Sequence, residues 1–234
     1  MPRIVILGAG TGVGKTHVGC AILRELAGRG RSTLGLKPIE SGIPSGLANP
    51  TGSDAAALAD AATLRTPARS PLYGLSEPVS PHRAARQQGV AIDMDIAKRW
   101  VDEAEAAVTT SISSDMATWS LVETAGGVFS PLSMTHANFD LALALEPAIW
   151  VLVAADALGV LHDLSATLQA MRARGRVPDH VVLSSARAPD ASTGSNAAEL
   201  EALGIARVSA VLARNDDRGI AHLVELLLRT PSAA

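Results

Sequence analysis

At 234 residues, with 47% hydrophobic and 18% charged residues, the chain has the make-up of a soluble globular protein able to bury a sizeable core. Its formal net charge of −3 excludes a protein that grips nucleic acid through its overall field, and its single cysteine, Cys20, excludes an internal disulfide or a cysteine-built metal site. No apolar run approaches the ~20 residues of a membrane span. The chain starts on a strand-like run with no signal sequence, so a cytoplasmic location is expected. With no linker tract or internal repeat, a single domain over residues 1–234 is expected.

In chain order, short apolar runs predict strands at Ile4 to Leu7, Thr33 to Leu36, Ser120 to Val122, Ile149 to Val153, Val181 to Leu183 and Val208 to Leu212. They are rich in Val, Ile and Leu and do not alternate with polar residues, as strands buried on both faces of a parallel sheet read. Helical patterns fall between them at His17 to Ala27, Asp54 to Ala62, Ile96 to Thr109, Leu161 to Arg174, Ser195 to Leu203 and Ile220 to Leu228. Residues 42–53 and 64–82 are rich in Gly, Pro and Ser and read as loops. Ser80 is placed to cap a helix starting at Pro81 and running to about Gly89. Strand-helix alternation predicts a doubly wound α/β fold, a mainly parallel sheet flanked by helices, with functional residues just after the strands.

The stretch Gly8-Ala9-Gly10-Thr11-Gly12-Val13-Gly14-Lys15-Thr16 joins the first strand to the first helix and reads as a phosphate-binding loop of the P-loop NTPase type. Backbone N–H groups of Gly12, Val13 and Gly14 would curl around phosphate oxygens at the positive end of the helix. Lys15 would reach the terminal phosphates and the Thr16 hydroxyl would bind Mg²⁺. The strict pattern has glycine where Ala9 stands, so this is a longer variant. Lys37 ends the second strand: either it snorkels to solvent or it neutralises a transferring phosphoryl group. Asp54 is either a helix-start charge or a metal ligand; Ser41 is either a turn residue or a hydrogen-bond donor to substrate. Glu123 ends the third strand before Thr124-Ala125-Gly126-Gly127, and a carboxylate there is hard to explain as structure. Thr16, Asp54 and Glu123 are all hard oxygen donors suited to Mg²⁺.

The loop, Lys37-Pro38-Ile39-Glu40-Ser41-Gly42, Ser53-Asp54, Glu77-Pro78-Val79-Ser80-Pro81-His82 and Val122-Glu123-Thr124-Ala125-Gly126-Gly127 occur in the order and spacing of dethiobiotin synthetases, which the first 135 residues resemble. The resemblance implies ATP- and Mg²⁺-dependent ring closure in biotin synthesis. CO2 adds to 7,8-diaminononanoate as a carbamate, ATP phosphorylates it, and the second amine displaces phosphate to give dethiobiotin. It implies that Lys15 and Lys37 stabilise the carbamate and γ-phosphate, Lys37 being the catalytic lysine, and that Ser41 contacts the diamine. It also implies that Thr16, Asp54 and Glu123 hold Mg²⁺, that Glu123, Thr124, Ala125 and Gly126 lie near the nucleotide, and that the protein is a homodimer. Neither nucleic acid nor membrane is expected as a partner.

The chain departs from the family pattern where Ala9 and Gly10 replace Thr and Asp, and where Thr124 replaces glycine. Ser184-Ser185 stand where an asparagine normally reads adenine, so nucleoside triphosphates other than ATP are candidate co-substrates. Three other readings share this loop, and against one of them, an amide-forming or cobalamin-pathway ATPase domain, stand Lys37 to Gly42 together with Ser80-Pro81-His82. Partitioning ATPases carry a lysine where this chain has Gly10. A diverged paralogue would keep the fold as a binding module.

Overall fold

A computed structural model describes residues 1–43, 52–66, 71–109, 117–185, 188–213 and 218–230. Six strands form one sheet: β1 (Arg3–Gly8), β2 (Ser32–Leu36), β5 (Thr118–Glu123), β6 (Ile149–Asp156), β7 (His180–Ser185) and β8 (Ala210–Leu212). Their order is β2-β5-β1-β6-β7-β8 and every pairing is parallel. A separate parallel pair joins β3 (Ile39–Ser41) to β4 (Tyr73–Leu75). The helices are α1 (Lys15–Gly28), α2 (Asp54–Ala61), α3 (Pro81–Gln87), α4 (Met94–Thr109), α5 (Asn138–Ala144), α6 (Val160–Ala173), α7 (Asn196–Ala202) and α8 (Arg218–Arg229). None among the described residues is long and apolar enough to cross a membrane.

The period of two along a strand explains the layers. In β1, Ile4 and Ile6 face a core shared with α1, α2 and α8, through residues such as Leu23, Leu58 and Leu223. Val5 and Leu7 face the opposite core, built with Phe139, Trp150, Leu164 and Val101. Both faces are covered, so the strands read as unbroken apolar runs. The second core is anchored by the edge-to-face pair of Phe139 and Trp150, whose ring centroids are 5.5 Å apart.

The predicted strands and helices occur within a few residues of their expected bounds, with three additions and one correction. Strands β3 and β4 are three residues each, too short to carry a pattern, and β4 falls inside the stretch read as a loop. Helix α5 is also short, at seven residues. Most of the loop read at residues 42–53 lies outside the described residues. Helix α3 begins at Pro81 as expected, but Ser80 does not cap it with its side chain: the hydroxyl lies 3.0 Å from Nδ1 of His82.

Helix α2, which carries Asp54, is seated closely on β2. A Cβ placed on Gly35 would fall 2.6 Å from the Leu58 carbonyl oxygen and 2.9 Å from Leu23 Cδ1. Gly35→Ala is therefore expected to destabilise the fold by about 1–3 kcal/mol, read as a lower urea midpoint. An unchanged midpoint would show that α2 has room to move off β2.

Candidate active site

Register brings the charged residues together at the carboxyl ends of the strands. Leu36 pairs with Val122, so Lys37 leaves β2 beside Glu123 at the end of β5. Ile6 pairs with Glu123, which places that carboxylate next to the strand feeding the phosphate-binding loop. At the far side of the loop, Gly14 precedes α1 with φ of 91°, a left-handed conformation that favours glycine. A Cβ at Gly14 would also lie 2.4 Å from the Ser184 hydroxyl, so the turn has no room for a side chain.

Lys37 is the centre of the cluster. Its ammonium, 5% exposed, donates to Asp54 Oδ2 at 2.5 Å and to Glu123 Oε1 at 2.6 Å. Thr16 Oγ1 donates to the same Glu123 oxygen at 3.0 Å. Burial opposes the charge on Lys37, but Glu123, Asp54 and Glu40 outweigh it and raise its pKa. Burial also opposes the charge on Asp54, yet Lys37 holds it below the usual carboxylate range. Glu123 is nearly sealed from solvent, and burial raises its pKa despite Lys37. The reason is arithmetic of charge: one ammonium is shared among carboxylates, and Glu123 Oε2 has no hydrogen-bond partner among the described residues.

Lys15 is buried too, its Nζ 3.4 Å from the Gly10 carbonyl oxygen. Burial lowers its pKa to about 8; Glu123 pulls the other way and Lys37 repels it. A triphosphate would supply the missing negative charge. Cys20, early in α1, is buried with its thiol pushed up to about 11 by burial, which makes it an inert core residue.

Asp54 is the first residue of α2, but the capping is done by others. Ser53 Oγ accepts from the Ala56 N–H at 3.1 Å, and both oxygens of Glu40 accept from the N–H groups of Asp54 and Ala55, at 2.7 and 2.9 Å. Asp54 is thus released to face Lys37. Glu40 was legible only as a member of the Lys37 to Gly42 motif; in the three-residue strand β3 it stands between Ile39 and Ser41, too short a run to mark it. Asn138 was missed altogether. It is fully buried, accepts from the Ala125 N–H and donates to the carbonyls of Ala125 and Gly127, so it fixes the turn after Glu123.

A cavity of about 880 Å³ opens over this cluster. Gly12, Gly14, Lys15, Thr16, Lys37 and Ser41 line it, as do Asp54, Glu123, Ala125 and Gly126. The Ser41 hydroxyl is buried there without a partner among the described residues. Thr124 donates its hydroxyl to the Ile6 carbonyl at 2.9 Å, and the Val13 carbonyl accepts from Ser184 at 2.5 Å. Ser185 donates to the Leu212 carbonyl. Both serines that stand in the asparagine position therefore spend their hydroxyl protons on backbone, and Ala186 lies outside the described residues.

The donor set fits Mg²⁺. Two carboxylates and a hydroxyl converge, one buried carboxylate oxygen is unsatisfied, and an ammonium bridges the carboxylates where a divalent cation could compete for them. Mg²⁺ ordinarily takes few protein ligands and completes its shell with water and phosphate oxygens, so the absence of three clustered His, Cys, Asp or Glu among the described residues is no obstacle.

A parallel sheet with a glycine-rich loop, lysine and threonine at its carboxyl edge defines a nucleotide-binding domain, and a family profile described as an AAA domain matches residues 2–219. The fold is similar to that of a chain in the MinC:MinD cell division protein complex of Aquifex aeolicus (TM-score 0.53, 13% identity, covering 99% of this chain and 97% of that one). It is also similar to a ParA family ATPase of Chlorobium tepidum (TM-score 0.52, 11% identity, 99% and 94%). At such identities these likenesses concern the fold alone.

Sequence relatives are more specific. A protein named ATP-dependent dethiobiotin synthetase BioD in Caulobacter sp. (strain K31) is 36% identical over 196 residues, covering 81% of this chain and 79% of its own length. Its namesake in Caulobacter vibrioides (strain NA1000 / CB15N) is 33% identical, covering 97% and 100%, and the one in Ralstonia nicotianae is 37% identical, covering 73% and 70%. The chain belongs to the ATP-dependent dethiobiotin synthetase family.

Removing the shared ammonium tests the electrostatic account. Lys37→Met leaves Glu123 buried and uncompensated, so unfolding free energy at pH 8 is expected to fall by about 3–5 kcal/mol relative to the parent. Glu123 binds a proton more readily when folded than when unfolded, so its carboxylate penalty shrinks as pH falls. The gap between variant and parent should therefore narrow toward pH 5. A gap independent of pH would contradict this.

Proposed function

We propose that this protein is a dethiobiotin synthetase that joins 7,8-diaminononanoate and CO2 into the cyclic urea of dethiobiotin, using ATP, by way of a phosphorylated carbamate. The observation that carries this reading is the meeting of Lys15, Lys37, Thr16, Asp54 and Glu123 beside the unpartnered Ser41 hydroxyl in one cavity. A phosphoryl group moving from a triphosphate to a carbamate carries negative charge at both ends, and two buried lysines are placed to hold it.

In this reading the backbone of Gly12, Val13 and Gly14 and the start of α1 bind the phosphates. Lys15 spans the β- and γ-phosphates, and Lys37 bridges the γ-phosphate and the carbamate as the catalytic lysine. Ser41 hydrogen-bonds the diamine. Thr124, Ala125 and Gly126 border the nucleotide through backbone. Thr16, Asp54 and Glu123 would hold Mg²⁺, which when bound neutralises phosphate charge. Holding both reactants against one lysine replaces a three-body encounter by a positioned one. We place the protein in the cytoplasm as a single-domain homodimer without nucleic-acid or membrane partners. The two hydroxyl-committed serines at the asparagine position favour tolerance of other nucleoside triphosphates.

The test is dethiobiotin formation, read by mass spectrometry, from 7,8-diaminononanoate, bicarbonate, Mg²⁺ and each of ATP, CTP, GTP and UTP. The parent is expected to make product, and Lys37→Ala to make it at least about 10²-fold more slowly. No dethiobiotin with any triphosphate, from folded protein, would overturn the proposal and favour a diverged binding paralogue.

A further inference from the structure

A second chemical device lines the cavity that holds the lysines. Pro78 to Pro81 line the same cavity as Lys37 and Ser41. The segment packs beside the turn after β3: a Cβ on Gly42 would lie 3.4 Å from Pro78 Cβ. Ser80 sits at the N-cap of α3, where its hydroxyl would ordinarily accept from a helix N–H and contribute about 1 kcal/mol. It makes no such bond. Its oxygen is 3.0 Å from Nδ1 of His82, two residues on, and the His82 N–H is tied to the Pro131 carbonyl at 3.3 Å. The imidazole is half-buried and anchored through its backbone, with Nδ1 aimed at a hydroxyl on the substrate side.

The proposed reaction, on which this inference rests, needs such a group. Each time a substrate amine forms its N–C bond, first to CO2 and then to the phosphorylated carbamate carbon as the C–O bond to phosphate breaks and phosphate leaves with the electron pair, the nitrogen must shed a proton. The carboxylates that line the cavity are committed. Both oxygens of Glu40 accept from the first N–H groups of α2, and Asp54 and Glu123 clasp Lys37 in the proposed metal site. His17 also lines the cavity, but on the helix that carries the phosphate-binding loop.

We propose that Ser80 and His82 form a proton relay for the substrate amine. With the ring proton on Nε2, Nδ1 accepts from the Ser80 hydroxyl. As the N–C bond forms, the Ser80 oxygen takes the amine proton and passes its own to Nδ1, and the imidazolium then releases a proton to solvent. Ser80 is the group that touches substrate; His82 acts through it.

Steady-state dethiobiotin synthesis by the full chain tests this with His82→Ala, His82→Asn, Ser80→Ala and the Ser80→Ala/His82→Ala double variant. His82→Asn retains a hydrogen-bonding group near the place of Nδ1 but cannot take a proton. The relay predicts that kcat falls about 10²-fold in both His82 variants and in Ser80→Ala, with the KM for ATP unchanged. It also predicts that the double variant is no slower than the slower single, and that added imidazole restores part of the His82→Ala rate. Near-parental kcat in His82→Asn, multiplying losses in the double variant, or no effect of imidazole would overturn it. A parent chain that makes no dethiobiotin overturns this relay together with the proposed function; an active parent with undiminished His82 variants overturns the relay alone.

Discussion

The architecture of the site depends on one buried ammonium. Lys37 leaves β2 at the point where the sheet register sets it beside Glu123, and the approach of α2 adds Asp54 on its other side. Two carboxylates this close to each other repel, and a carboxylate as enclosed as Glu123 is expensive to desolvate, so Glu123 needs a cation beside it. The same arrangement leaves Glu123 short of donors and Lys15 short of anions. Such a site is poised to exchange partners: a metal ion could relieve Glu123, and a triphosphate could relieve Lys15.

Supporting polar residues keep this geometry in place. Glu40 takes over the capping of α2, which frees Asp54 to turn toward Lys37. Asn138 satisfies the peptide groups of Ala125 and Gly127, which holds the glycine turn after Glu123 against the loop. Gly35 lets α2 come close enough to β2 for Asp54 to reach the cluster at all. The function of these residues is exerted through backbone position.

That is also why the sequence disclosed some of the site and not the rest. The glycine-rich loop, Lys37 and Glu123 each interrupt an apolar run at its end, and the carboxyl ends of the strands in a parallel sheet are where ligands gather. Lys37 and Glu123 could be read singly, but their contact could not, because it follows from the alignment of β2 with β5, strands separated by three helices in the chain. Glu40 and Asn138 answer backbone groups distant in sequence and leave no periodic trace. Strands β3 and β4 are too short for an alternation to be counted. Ser80 was assigned to its helix start correctly and given the wrong partner, since the Ser-Pro pattern encodes the cap position but not the competing imidazole two residues on.

The most direct test of the shared-cation account is the Mg²⁺ dependence of binding a non-hydrolysable ATP analogue, measured by titration calorimetry in the parent and in Glu123→Gln. Mg²⁺ should tighten binding in the parent by about tenfold or more and have little effect in the variant, because the amide cannot serve as the charged ligand. Equal enhancement by Mg²⁺ in both proteins would contradict the assignment of Glu123, and with it the claim that Lys37 shares its carboxylates with a metal.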